Sequence, residues 1–349
     1  MRALFSCSIG AVALAIPLMA APEWRLTRSE HFEVYAQSSD ERVRAILTWF
    51  EQLRAFFELQ GGGSTANSAP VRVTVFASEQ EYQPFRLRAA SDAYYVGTSS
   101  QDYIVMGTDN PLKFGLAAHE YAHLVLRASG LKLPPWLAEG LSEFFATLRI
   151  TQHAAELGGA LPARIRTLQN RTWMPLVELL SISEEALSHQ ERAKADLFYA
   201  ESWALTEMLM LSPKYAPSFQ KILASPTLDV ETVTRDLHKW VAQPLLPVIQ
   251  LAEIDTPLVH VEVSAVPLSA VGSSGHAALR SDQDLHHASI GLRSPGSIGS
   301  TTAASPSRPC RSSLALVSMA ARAGVGSRHR GGGSEFGPVT TITATTERS

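Results

Sequence analysis

The stretch "AAHEYAHLVLRASGLKLPPWLAEGLSEFF", residues 117–145, decides the reading of this chain. It places His119, Glu120 and His123 in the spacing H-E-x-x-H. On a helix, residues four apart project from one face, so His119 and His123 offer two imidazole nitrogens to a single ion. Glu120 stands beside them as a carboxylate that can take a proton from an activated water. The helix is otherwise mostly apolar, with Ala117, Ala118, Ala122, Leu124, Val125 and Leu126. Imidazole and carboxylate groups on a largely buried helix need a reason, and a metal ion supplies one. Asn110 and Pro111 suit its start, and Gly130 suits its end.

A catalytic zinc site takes three protein ligands and keeps one open position. If the third were a histidine in the pattern H-E-x-x-H-x-x-G-x-x-H, the glycine would fall at Leu126 and the histidine at Ser129, so that arrangement is closed. "PPWLAEGLSEFF" reads as a second helix starting near Pro135, with Glu139 and Glu143 four apart on one face. Fifteen residues separate His123 from Glu139, and the turn "SGLKLPP" is long enough to bring this helix back against the first. Glu139 then completes a His-His-Glu site. Glu143, one turn on, is placed to accept the second N–H of a ligand histidine. Gly140 has no side chain and permits a close approach of helix or metal.

On the N-terminal side of this stretch, "EHFEVYA" (30–36) and "VRVTVFA" (71–77) alternate as strands do. "AYYVG" (93–97) and "DYIVMGT" (102–108) predict two more strands around a polar turn. Between the first two, residues 39–60 predict an amphipathic helix. Ser39 or Asp40 would cap it, and Val43, Ile46, Leu47, Phe50, Leu53, Phe56 and Phe57 form its apolar stripe. From about 162 to 250 the pattern is mostly helical, strongest over 195–211. Strands with one helix, followed by helices, predict an α+β fold. The expected division is 22–160 for the part holding both motif helices and 161–262 for a helical part. Residues 263–349 are rich in Ser, Gly, Ala and Pro and read as a low-complexity, disordered tail.

At 349 residues, 45% hydrophobic and 18% charged, the chain can build a proper core. A net charge of -3 with no basic block argues against a nucleic-acid partner. The first residues, "MRALFSCSIGAVALAIPLMAAPEW", have Arg2, an apolar run to about Ala15, and small Ala20 and Ala21 before Pro22. That order predicts a signal peptide over 1–21 and an exported protein, periplasmic or extracellular. The apolar run is shorter than the roughly 20 residues of a membrane span. No stable span is therefore expected after cleavage. An uncleaved anchor or a buried N-terminal helix are the other readings. Of the two cysteines, Cys7 and Cys310, the first would leave with the signal peptide, which excludes an intramolecular disulfide.

The segment "HEYAHLVL…LPPWLAEGLSEFF" resembles the gluzincin clan of zinc metallopeptidases, most closely its bacterial peptidase MA-like branch. The likeness is tight over 112–148 and loose over about 30–250. It implies His119, His123 and Glu139 as Zn2+ ligands and Glu120 as general base and acid. It also implies Glu143 as the partner of a ligand histidine. The implied fold is zincin-like: a small twisted sheet, an active-site helix and a helical C-terminal half. The implied activity is hydrolysis of a peptide or protein substrate. Gluzincins such as thermolysin often have Asp where this chain has Glu143.

Catalysis further needs a donor for the developing oxyanion. Tyr199, in "FYAESWAL", is the candidate, and His189 and His238 are weaker ones. "DYIVMGT" is expected to be the sheet edge on which an extended peptide lies. Zinc is expected to be lost below about pH 5, where ligand histidines take up protons. Two alternatives stay open: a non-catalytic zincin-fold protein that binds metal or a partner, and a truncated, inactive product. Oligomeric state is not fixed by the sequence.

Overall fold

The computed structural model describes residues 23–60, 69–87, 91–110, 114–150, 154–251, 261–267 and 269, and the backbone of 341–343. The expected signal peptide, both cysteines and nearly all of the expected tail lie outside these residues. No helix among the described residues is long and apolar enough to cross a membrane.

The chain has a mixed α/β architecture. It opens with strands β1 (Arg25–Arg28) and β2 (Phe32–Ala36), helix α1 (Asp40–Leu59), strand β3 (Val71–Val75) and the short helix α2 (Glu79–Tyr82). Strands β4 (Ala93–Gly97) and β5 (Asp102–Met106) follow, then α3 (Phe114–Ser129) and α4 (Pro135–Phe145). Short strands β6 (Arg149–Ile150) and β7 (Ala155–Gly158) precede helices α5 (Pro162–Asn170), α6 (Leu176–Ser181), α7 (Glu184–Ser188) and α8 (Arg192–Leu211). Helices α9 (Phe219–Ala224) and α10 (Val230–Val241) and strands β8 (Val248–Leu251), β9 (Val263–Ala265) and β10 (Thr341–Thr343) complete the order.

The larger sheet is mixed, in the order β4-β5-β3-β2-β1-β9. β2, β3 and β5 run parallel, with α1 crossing between β2 and β3, whereas β1 and β4 pair antiparallel with their neighbours. Side chains alternate across a strand, so this sheet has two faces. Phe32, Val34, Val71, Val73, Ala93, Tyr95, Ile104 and Met106 pack on the helical side. Trp24, Tyr35, Phe76, Tyr82, Tyr94, Val96, Tyr103 and Val105 form a separate aromatic cluster on the other.

Helix α1 forms as its sequence demands. Ser39 accepts from the Arg42 N–H, Asp40 and Glu41 sit in the first turn, and the stripe from Val43 to Phe57 is buried. The principal core contains residues from both sides of residue 160, from Phe32 to Ile249. Its centre is α4, where every residue from Trp136 to Phe145 is buried. Helices α3 and α8 pack against it.

Two expectations need correction. "DYIVMGT" is not the sheet edge: β5 lies between β3 and β4, and β4 is the outermost strand. Both strands are short and apolar on both faces, so their sequences do not tell edge from interior. The region read as helical from 162 onward also contributes β8 to a second sheet, in the order β10-β8-β7-β6. Its strands are two to four residues long, too short to show a period.

Candidate metal centre

The two motif helices bring the predicted residues together. His119, His123 and Glu139 each aim one donor atom at a common point and form a group that could hold a metal ion. His119 Nε2 and His123 Nε2 are 3.1 Å apart. Glu139 Oε2 lies 3.5 Å from the first and 3.4 Å from the second. A tetrahedral divalent ion bonded at about 2.0–2.1 Å sets its ligands about 3.3 Å apart, by simple geometry from those bond lengths. The observed triangle has that size. Glu139 Oε2 is buried and makes no hydrogen bond of good geometry, so it is an acceptor in want of a cation. Two neutral imidazoles and a carboxylate are also a suitable donor set for such an ion.

This geometry is local in origin. Gly130, at φ 69°, ends α3 in the left-handed region and turns the chain. Pro134 and Pro135 then start α4 without needing the N–H that proline lacks. Gly140 allows the approach of α8: a Cβ there would overlap Thr206 Oγ1 and the Ser202 carbonyl oxygen. Its closeness therefore serves helix packing behind the site.

A ring of partners holds the ligands. Glu143 Oε1 lies 3.5 Å from His119 Nδ1, on the far side of that ring from the triangle. Ser142 Oγ lies 3.3 Å from His123 Nδ1. Each histidine is thus contacted through both nitrogens, the arrangement that fixes tautomer and ring plane in metal sites. Burial works against a charge on His119, but the adjoining Glu139 carboxylate and those of Glu143 and Glu120 outweigh it and raise its pKa to about 9. Burial opposes ionisation of Glu139 too, yet His123 and His119 hold its carboxyl well below the usual range. Burial raises the Glu120 carboxyl, against the attraction of both histidines and a backbone hydrogen bond from Tyr95.

Glu120 and the triangle open onto a cleft of about 460 Å³. It is lined by Ala93, Tyr94 and Tyr95 of the outer strand and by Leu187, His189, Arg192, Asp196 and Tyr199. Tyr199 therefore lines the same cleft as the triad, as does His189. His238 does not: it sits on α10 with its ring 4.3 Å from that of Trp173. His286 and His287 lie outside the described residues.

Sequence reasoning missed Arg164. It donates from Nε to Glu143 Oε2 at 2.9 Å and from Nη2 to Oε1, and its guanidinium carbon lies 5.3 Å from the centre of the Tyr199 ring. Nothing in "PARIRTLQN" marks one arginine over the other, because the pairing is made across the fold. A scan against protein-family models gives no match, and a search of curated proteins gives no significant one.

Proposed function

We propose that the chain is a zinc-dependent metallopeptidase of zincin-like fold, related to the gluzincins. The single observation behind this reading is the triangle of His119 Nε2, His123 Nε2 and Glu139 Oε2, with Glu120 beside it at the floor of an open cleft. A purely structural zinc site is closed by a fourth protein ligand, whereas this one has three among the described residues and faces a cleft. The resemblance of "HEYAHLVL…LPPWLAEGLSEFF" to the gluzincin pattern points the same way.

When bound, the ion supplies a Lewis acid that acidifies water and polarises a carbonyl. His119, His123 and Glu139 hold it. Glu120 accepts the proton of the attacking water as the new C–O bond forms and passes it to the leaving nitrogen as the C–N bond breaks. β4 lies at the edge of the sheet and its residues 93–95 line the cleft, so an extended peptide can pair along it. Tyr199, which lines the same cleft, is the candidate donor to the oxyanion. Export by the segment 1–21 fits a peptidase that acts in the periplasm or outside the cell.

The test is digestion of a peptide library by the zinc-loaded protein, with and without a chelator. Cleavage that the chelator abolishes, and that Glu120→Gln lowers by at least about 100-fold, is the expected result for a lost acid–base group. Bound zinc with no cleavage of any peptide would instead identify a metal-binding protein without hydrolytic activity.

A further inference from the structure

Glu143 Oε1 is shared. It accepts from Arg164 Nη2 and also faces His119 Nδ1 at 3.5 Å. The second oxygen, Oε2, is taken by Arg164 Nε at 2.9 Å. A glutamate side chain has three rotatable bonds, and one contact to an imidazole does not fix its carboxylate plane. A planar guanidinium gripping both oxygens does. Arg164 is held in turn: burial opposes its charge, but Glu143 more than compensates and its pKa is raised. Its guanidinium carbon lies over the Tyr199 ring, 5.3 Å from the ring centre.

The charges lead to the same residue. Glu120, Glu139 and Glu143 are 7%, 5% and 5% exposed. Carboxylates buried this close together call for cations beside them. A divalent ion at the triangle is one such cation, and the Arg164 guanidinium on Glu143 is another.

We propose that Arg164 is a positioning residue for the metal centre. Acting through Glu143, it fixes the ring plane and tautomer of His119 so that Nε2 stays directed at the ion. The inference rests on the metal reading above and adds to it a residue from α5, outside both motif helices. Charge and positioning predict opposite signs. Removing a cation near a cation site strengthens metal binding if charge is all that matters. Removing the clamp weakens it if position matters.

The experiment measures Zn2+ affinity by competition with a chromophoric chelator, for the full chain and for Arg164→Gln, Arg164→Lys, Glu143→Gln and the Arg164→Gln/Glu143→Gln double variant. Cobalt substitution adds a visible spectrum that reports ligand geometry. Arg164→Gln should weaken binding by at least about 10-fold and alter the cobalt bands, as losses around a ligand histidine do. Arg164→Lys, which keeps the charge but not the fork, should lie between it and wild type. The double variant should be no weaker than Glu143→Gln alone, because the effect passes through Glu143. Unchanged or tighter binding in Arg164→Gln, or additive losses in the double variant, would overturn the proposal. If Arg164→Gln does not fold, Arg164→Lys decides, since binding equal to wild type contradicts the clamp. A wild-type chain that binds no zinc refutes the metal reading itself. Tight wild-type binding with an indifferent Arg164 refutes only this inference.

Discussion

Gly140 of α4 and Thr206 of α8 meet with no room for a methyl group between them. Glycine costs roughly 1 kcal/mol in a helix interior relative to alanine. Here the lost propensity is outweighed, because any Cβ would strike both the Thr206 hydroxyl and the Ser202 carbonyl. Gly140→Ala should therefore destabilise the fold by a net ~1–3 kcal/mol, the usual range for overpacking. A thermal melt checks this, and a variant as stable as wild type would show that α8 can move away freely.

Ser142 gives a second test within the same helix. Its Oγ contacts His123 Nδ1 at 3.3 Å. Ser142→Ala deletes that contact without adding volume, so zinc affinity should fall by about 10-fold while the fold stays intact. Chelator competition measures it. Equal affinity would mean that packing alone orients His123.

Asp102 anchors the end of α3 to the sheet. It is 1% exposed and accepts from Tyr95 Oη at 2.6 Å and from Arg127 Nη1 at 2.8 Å. Breaking a buried pair leaves an uncompensated charge. Asp102→Asn should cost about 2–4 kcal/mol, tempered because Arg127 reaches solvent. Denaturant unfolding should show this as a lower midpoint. A loss within ~0.5 kcal/mol, the range of an ordinary surface substitution, would contradict it.

Two buried acids behind the site set a pH dependence. Burial pushes the Glu207 carboxyl up to about 8, despite the Trp240 indole and the Gly159 N–H nearby. Burial likewise raises Glu201 to about 7, although the Met174 N–H donates to it at 2.8 Å. An acid with a raised pKa keeps its proton in the fold after the unfolded chain has lost it. From about pH 4.5 to 8 the folded state then binds more protons, so stability falls as pH rises through that window. It is highest on the acid side of the window with respect to these groups. Glu207→Gln should flatten the decline, seen in denaturant midpoints at pH 5 and pH 8. A midpoint difference as large as wild type would contradict the assignment.

Much of this was legible in the sequence, and the reasons are local. The α1 stripe from Val43 to Phe57 follows helical periodicity, and all seven of its residues are buried, with Glu51 buried beside them. His119, His123 and Glu139 converge because two four-residue spacings and one turn largely determine where those donors go. Partners made across the fold were not legible. Arg164 reaches Glu143 from another helix, and no spacing encodes that distance. Which strand lies at the edge depends on sheet order, and β4 and β5 are equally apolar. The strands of the second sheet are too short to announce themselves, and β7 ends at Gly158 with φ 96°, a turn visible only in three dimensions.

The proposed function stands or falls on whether His119, His123 and Glu139 together hold one metal ion. Metal analysis of the purified chain, beside Glu139→Ala, tests it most directly. The wild-type chain should hold close to one equivalent of zinc, and the variant should lose most of it. Absence of zinc from the wild type after incubation with the metal, or the same content in both proteins, would contradict it.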